Sequence, residues 1–220
     1  MRRVKTRQVK YEYGAGLDPA RAALTCTFMY IETETTPNPA ALKFLPGRQV
    51  MVTGTREFTD EEQAEASPLA EALFNLGDVS GVLFGRDFIA VTAGAGVDWT
   101  PLKPQVVAIL LDHFVSEAPL FAAGNAAAIA VLADSADSYD DDPADIDITD
   151  QIRELIETRV RPAVANDGGD VAYRGFREGV VYLSMQGACS GCPSSAATLK
   201  NGIESLIRHY VPEVNEVRAV

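Results

Sequence analysis

Two hydrophobic periods run along this chain. Alternation with a period of two marks half-buried strands, and recurrence every three to four residues marks one face of a helix. From Met29 to Thr33 the pattern predicts a short strand, closed by the turn Thr36-Pro37-Asn38-Pro39, where two prolines fix φ and bar a helix. Ala41 to Leu45 reads as a second strand, stopped by Pro46-Gly47, and Gln49 to Thr53 as a third. Ser67-Pro68 opens a helix to about Leu76, with serine as cap and proline at the first helical position. Val79 to Phe84 and Phe88 to Thr92, joined by Gly85-Arg86-Asp87, read as a β-hairpin. A longer helix follows from about Trp99 to Glu117, capped by Asp98. Leu102, Val106, Leu110 and Phe114 recur there every four residues, and Val107 and Leu111 widen the stripe. His113 lies in this helix and reads as a surface or satisfied core residue, because no Cys or His stands at ligand spacing from it.

Beyond residue 117 the pattern fades and then resumes. Residues 118–133 are Ala-rich and suggest a helical extension. Residues 134–150 carry eight Asp and no basic residue, a density of like charge that opposes packing and predicts a solvated linker. From about Ile148 a helix carries Ile148, Ile152, Leu155, Ile156 and Val160 on one stripe, with Pro162 near its end. Asn166-Asp167-Gly168-Gly169-Asp170 is a turn. Val171 to Phe176 and Val180 to Met185, joined by Arg177-Glu178-Gly179, read as a second hairpin. A helix from about Ser194 to Tyr210 places Leu199, Ile203, Leu206, Ile207 and Tyr210 on one face, and Val214 to Val220 alternates as a closing strand. The predicted fold class is α+β: two small α+β domains, the C-terminal one α-β-β-α-β, joined by an acidic linker. The predicted boundaries are a leader over 1–28, a first domain over 29–117, an Ala-rich then acidic linker over 118–147, and a second domain over 148–220.

Composition narrows the function classes. With 220 residues, 47% hydrophobic and 23% charged, the chain has room for one or two proper cores. No apolar run is long enough to predict a membrane span. The net charge of −12 is uneven: residues 1–28 carry six basic and two acidic side chains, and residues 151–220 carry eight of each. An acidic chain with no basic face predicts no nucleic-acid partner. The basic, acid-poor leader admits two readings: an organellar transit peptide, or a disordered or mis-started leader ahead of Met29. The expected location is a bacterial cytoplasm, with the mitochondrial matrix as the alternative if residues 1–28 are a transit peptide.

The candidate chemistry sits in Gly187-Ala188-Cys189-Ser190-Gly191-Cys192-Pro193-Ser194-Ser195. Cys189 and Cys192 are two of the three cysteines, and Cys26 lies in the leader as an incidental thiol. Three cysteines give no even disulfide framework, so the pair reads as reduced thiols. Between a strand end and a helix start, free N–H groups and the positive helix end predict lowered thiolate pKa values. The glycines allow close approach of a bulky group, and Ser190, Ser194 and Ser195 are either donors to sulfur or small capping residues. Four functions fit such a pair: a thioredoxin-like dithiol oxidoreductase, a structural zinc site, a purely structural pair, and an iron–sulfur cluster bridging two chains. Zinc would need two further ligands, and His209 is alone in this domain. A bridging cluster would take two thiolates from each copy in a symmetric dimer.

The motif Asn166-Asp167-Gly168-Gly169-Asp170-Val171, followed by Gly179 to Lys200 with its GACSGCPSS core, closely resembles the C-terminal NifU-like domain of the Nfu iron–sulfur cluster carriers. Thr33 to Gly47, TETTPNPAALKFLPG, resembles the signature that opens the Nfu N-terminal domain. Together the resemblance covers about residues 29–117 and 148–220. It implies a carrier rather than an enzyme, holding a 4Fe–4S cluster at a homodimer interface through the CxxC of each subunit and passing it to apo-proteins. Cys189 and Cys192 would be the metal and cofactor ligands. The implied partners are a second copy, apo iron–sulfur clients and an upstream cluster scaffold, with no nucleic acid and no membrane. The N-terminal domain would recognise clients or donors, and the linker would keep the domains separate and mobile. The chain has neither the three-cysteine scaffold domain nor the ferredoxin-like domain of longer NifU proteins, which puts de novo cluster assembly in doubt. The dithiol oxidoreductase remains the alternative.

Overall fold

The computed structural model describes residues 30–122, 145–190 and 197–220 in full, and the backbone of 193–196. Cys26, Cys192, most of the Ala-rich segment and most of the acidic linker lie outside the described residues.

The N-terminal domain is an antiparallel sheet backed by helices. Its strands are β1 (Glu32–Thr35), β2 (Ala41–Leu45), β3 (Arg56–Phe58), β4 (Val79–Phe84) and β5 (Ile89–Ala93), in the spatial order β1-β2-β5-β4-β3. Helices α1 (Glu61–Ala64), α2 (Pro68–Phe74) and α3 (Trp99–Val115) accompany it. The core gathers Phe44, Phe58, Phe84, Ile89 and Val91 from the sheet with Leu69 and Leu73 of α2 and Leu102, Val106 and Leu110 of α3. The caps are as the residue types dictate: Ser67 accepts from the Ala70 N–H and Asp98 from the Thr100 N–H.

The third strand differs from the sequence expectation. Residues 49–53 form a loop, in which the Val50 and Met51 N–H groups both donate to the Arg86 carbonyl. The strand that pairs with β4 is Arg56–Phe58. The first strand also lies later than the Met29–Thr33 span, at Glu32–Thr35. His113, expected at the surface or in the core, is buried beside Phe114, and burial with the nearby Arg48 lowers its pKa.

The C-terminal domain follows the predicted order α-β-β-α-β. It opens with α4 (Ile146–Leu155), continues through a π-helical turn (Ile156–Val160), and ends the same rod with α5 (Arg161–Asn166). Pro162 has no N–H for the Thr158 carbonyl, and the wider turn just before it accommodates that loss. Strands β6 (Gly169–Arg177) and β7 (Val180–Gly187) form the hairpin, α6 (Pro193–Tyr210) crosses over, and β8 (Glu216–Ala219) pairs parallel to β7. Ile152, Ile156, Val160 and Val164 along the rod meet Val171, Leu183, Ile203 and Ile207 in a second core.

The two domains are packed together, contrary to the expectation that the linker holds them apart. The strands β4 and β5 are buried on both faces. One face joins the N-terminal core. The other carries Leu83, Phe88 and Ala90, which gather with Leu45 and with Ala165 of α5. Continuous apolar runs such as Val82-Leu83-Phe84 are what a strand covered on both sides requires. Lys43 sits at this seam, buried, with its Nζ 3.3 Å from a Glu34 carboxylate oxygen and 5.1 Å from the Phe88 ring centroid. Its Nζ also reaches the Asn166 carbonyl across the seam at 3.4 Å.

Candidate functional site

Strand β7 ends at Gly187 and helix α6 begins at Pro193, so the segment between them must turn sharply at the edge of the C-terminal domain. Gly187 takes φ +66°, a left-handed value that costs a side-chain-bearing residue and not glycine. The turn closes on itself: Ser190 N–H and Ser190 Oγ both donate to the Gly187 carbonyl, at 3.1 and 2.8 Å. Ala188 N–H donates to Gly168 O at 3.2 Å, tying the turn to the Asn166–Asp170 loop.

Cys189 points inward. Its residue is 5% exposed and belongs to the C-terminal core. A Cβ added at Gly169 would lie 2.5 Å from Cys189 Sγ, so a glycine there makes the nest in which the sulfur rests. The thiol pKa is pushed up to about 11, first by burial and then by the carboxylates of Asp167 and Asp170. This differs from the expectation of a lowered value for Cys189: burial is the first cause of the rise, and two negative neighbours add to it. Ser194 and Ser195 have no described side chains, and the structure does not describe Cys192. Among the described residues no group of three or more His, Cys, Asp or Glu is placed to hold a metal ion.

A groove of about 700 Å³ opens beside the thiol. It is lined by Val160 and Val164, by Leu199 and Ile203 of α6, and by Pro37 of the N-terminal domain. The remaining surroundings of the cysteine turn also come from the N-terminal domain. The Gly187 N–H donates to Glu57 Oε1 at 2.7 Å, and the Ser190 hydroxyl lies within reach of the same carboxylate. Burial raises the Glu57 pKa, and these two donors partly offset the rise. Asn38 Nδ2 donates to the Ala188 carbonyl at 3.1 Å, while Asn38 Oδ1 accepts from Ala40 N–H and so holds its own turn.

Below the turn lies a polar anchor. Asp170 is 4% exposed and accepts from Arg161 Nε at 2.8 Å and Arg161 Nη2 at 2.6 Å, a two-pronged contact. Thr55 Oγ1 of the N-terminal domain donates to the same carboxylate at 2.5 Å. The paired acceptors hold the Arg161 guanidinium above its already high usual range.

Of the two ligands expected from the sequence, Cys189 is placed and Cys192 lies outside the described residues; Ser190 is placed as a donor within the turn. Sequence reasoning missed Asn38, Thr55, Glu57, Arg161 and Asp170. For Asn38 and Asp170 a signal existed, since both lie in the motifs quoted above. Thr55 and Glu57 carry none.

Two α+β domains meeting over a turn at a strand-to-helix junction, with Cys189 buried in that turn, define the class: a two-domain α+β protein with its candidate chemistry at the domain seam. The comparisons give the family. A family model described as the scaffold protein Nfu/NifU N terminal matches residues 31–117, and one described as the NifU-like domain matches residues 152–218. The chain belongs to the Nfu/NifU family. It is 47% identical over 191 residues to NifU-like protein 4, mitochondrial, of Arabidopsis thaliana, covering 86% of this chain and 65% of that protein. It is 44% identical over 194 residues to the NFU1 iron-sulfur cluster scaffold homolog, mitochondrial, of Homo sapiens, covering 88% of this chain and 72% of that protein. The chain thus spans about two thirds of the first relative's length. A solution structure of a NifU-like protein from Saccharomyces cerevisiae is similar over 51% of this chain and 96% of that one, at 24% identity and TM-score 0.40. The relatives' names correct the expected location. Both are mitochondrial proteins, against the bacterial cytoplasm.

Proposed function

We propose that this protein is an iron–sulfur cluster carrier that binds a 4Fe–4S cluster between two copies of the chain, with Cys189 and Cys192 of each copy as ligands. The observation that carries the reading is the match of a cluster-scaffold family to a turn holding a CxxC pair, beside a groove, with no further ligand set among the described residues. Four thiolates satisfy such a cluster, and a symmetric pair of chains supplies two from each. The cluster is cargo. An incoming client cysteine gives up its proton and takes the place of Cys189 or Cys192 on iron, and the displaced thiolate regains a proton. The protein catalyses no covalent turnover of its own. Its partners are apo iron–sulfur proteins and an upstream scaffold. The relatives' names favour a mitochondrial setting.

A thioredoxin-like reaction is disfavoured by the first cysteine of the pair. It is 5% exposed, and its sulfur rests against Gly169 out of reach of an incoming disulfide.

Anaerobic reconstitution with iron and sulfide, followed by Mössbauer spectroscopy and sizing, tests the proposal. The expected product is a dimer carrying about one four-iron cluster per two chains. Cys189→Ala and Cys192→Ala should each abolish it, and Cys26→Ala should leave it intact. A monomer without iron that rapidly reduces insulin disulfides would overturn the reading.

A further inference from the structure

The start of the cysteine turn is held by the other domain. Glu57 accepts from the Gly187 N–H, and Asn38 donates to the Ala188 carbonyl, so the Gln186–Gly187 and Ala188–Cys189 peptide groups are clamped. Side-chain packing agrees. A Cβ at Gly187 would meet Leu83 Cδ2 at 2.5 Å, and one at Gly168 would meet Thr36 Cγ2 at 3.1 Å, so β4 and the first turn lie directly on these glycines. Pro37 lines the groove beside Cys189. The sulfur itself is turned into the domain, against Gly169.

We propose that the N-terminal domain is a reversible cap on the cysteine turn, with Asn38 and Glu57 as the positioning residues that hold the Cys189 thiol inward, and that it must lift for the turn to bind a shared cluster. This rests on the iron–sulfur reading above. A cluster shared by two copies needs the sulfurs at the surface, facing a second copy's turn. In the capped arrangement the Cys189 sulfur is buried, and Asn38, Glu57 and Leu83 of the N-terminal domain lie against the turn that carries it. The capped state and the cluster-bearing state therefore exclude one another. The contact suits such exchange: it consists of a small apolar group around Leu83, Phe88 and Ala90 and a few hydrogen bonds, and interfaces of that kind within a chain permit domain motion.

The test uses the full chain with Cys26→Ser and Cys192→Ser, so that Cys189 is the single thiol. Its alkylation by iodoacetamide is followed by mass spectrometry, with Trp99 fluorescence reporting that the N-terminal domain remains folded. Asn38→Asp keeps the acceptor for Ala40 N–H and loses the donor to Ala188, so it opens the cap without unmaking the turn. We expect about fivefold faster alkylation in Asn38→Asp, and tenfold or more in Glu57→Ala, where a charged acceptor is lost. If Glu57→Ala loses the native Trp99 signal, Asn38→Asp decides alone. Unchanged alkylation in a variant with native Trp99 fluorescence would overturn the cap. A second arm uses the chain with both cysteines intact. Hydrogen exchange at the Gly187 amide should be faster in the cluster-loaded protein than in the cluster-free one, and equal protection would also overturn the proposal. Failure to take up any cluster would instead overturn the iron–sulfur reading, and the alkylation arm would still decide the cap.

Discussion

Replacing Asp170 with alanine tests the polar anchor beneath the cysteine turn. The change removes three hydrogen bonds, two from Arg161 and one from Thr55, and leaves a guanidinium facing a hole. Removing one partner of a buried ion pair costs about 3–5 kcal/mol. The Arg161 side chain is 27% exposed and keeps Glu157 at 2.7 Å, so water and that partner recover part of the loss. The discounted expectation is a loss of about 2–3 kcal/mol. With a urea dependence of about 1–3 kcal/mol per molar, the midpoint should fall by about 1 M. Far-UV circular dichroism reports both domains, and fluorescence of Trp99, the only tryptophan, reports the first. Because Thr55 reaches Asp170 from the other domain, Thr55→Val should cost about 1 kcal/mol in the wild-type background and almost nothing in Asp170→Ala. An equal cost of Thr55→Val in both backgrounds would refute the argument, since the two residues would then not be coupled. A midpoint unmoved by Asp170→Ala would refute it more directly.

Three further outcomes follow from single sites. Gly187→Ala must adopt φ +66° and push a Cβ to 2.8 Å from the Gly168 carbonyl oxygen, so thermal melts should show a loss of about 1–3 kcal/mol. Ser67→Ala removes a buried hydroxyl that caps α2 and donates to Leu120 O at 2.5 Å, and Trp99-monitored urea unfolding should show a loss of about 1–2 kcal/mol. His113 has its folded pKa below the unfolded value, so the unfolded chain takes up the proton first as pH falls. Stability should therefore drop as pH falls from the unfolded pKa toward the folded one. His113→Gln should flatten that slope in melts taken between pH 7.5 and 5.5, whatever its effect on absolute stability.

What the sequence made legible was set by how locally each feature is specified. The α3 stripe of Leu102, Val106, Leu110 and Phe114 and the stripe of Ile152, Ile156 and Val160, which runs from α4 into the π-helical turn, are periodic over several turns, and both are buried as expected. Ser67 and Asp98 sit where capping chemistry requires. The strand Arg56–Phe58 was hidden because two of its three residues are charged, while apolar Val50 and Met51 nearby belong to a loop fixed by one distant carbonyl, that of Arg86. The second buried face of β4 and β5 was written in the unbroken run Val82-Leu83-Phe84, yet such a run does not say which surface covers it. The state of Cys189 was the least legible. A helix start near a cysteine is readable from spacing, whereas Gly169 behind the sulfur and Glu57 above the turn depend on long-range packing that no periodicity encodes.

The chemistry of the seam bears on how a cysteine turn is both guarded and released. The groups that touch Gly187 and Ala188 bind backbone atoms, not side chains, so they hold the turn whatever its cysteines are doing. Backbone hydrogen bonds each contribute about 0.5–1.5 kcal/mol, more where a carboxylate accepts. Lifting the domain gives up these bonds together with the apolar group of Leu83, Phe88 and Ala90. The anchor of Arg161, Asp170 and Thr55 lies one residue beyond Gly169 and is deeper and better paired than the contacts on the turn. Opening that began at Asn38 and Glu57 would therefore free the cysteine turn before it reached the anchor.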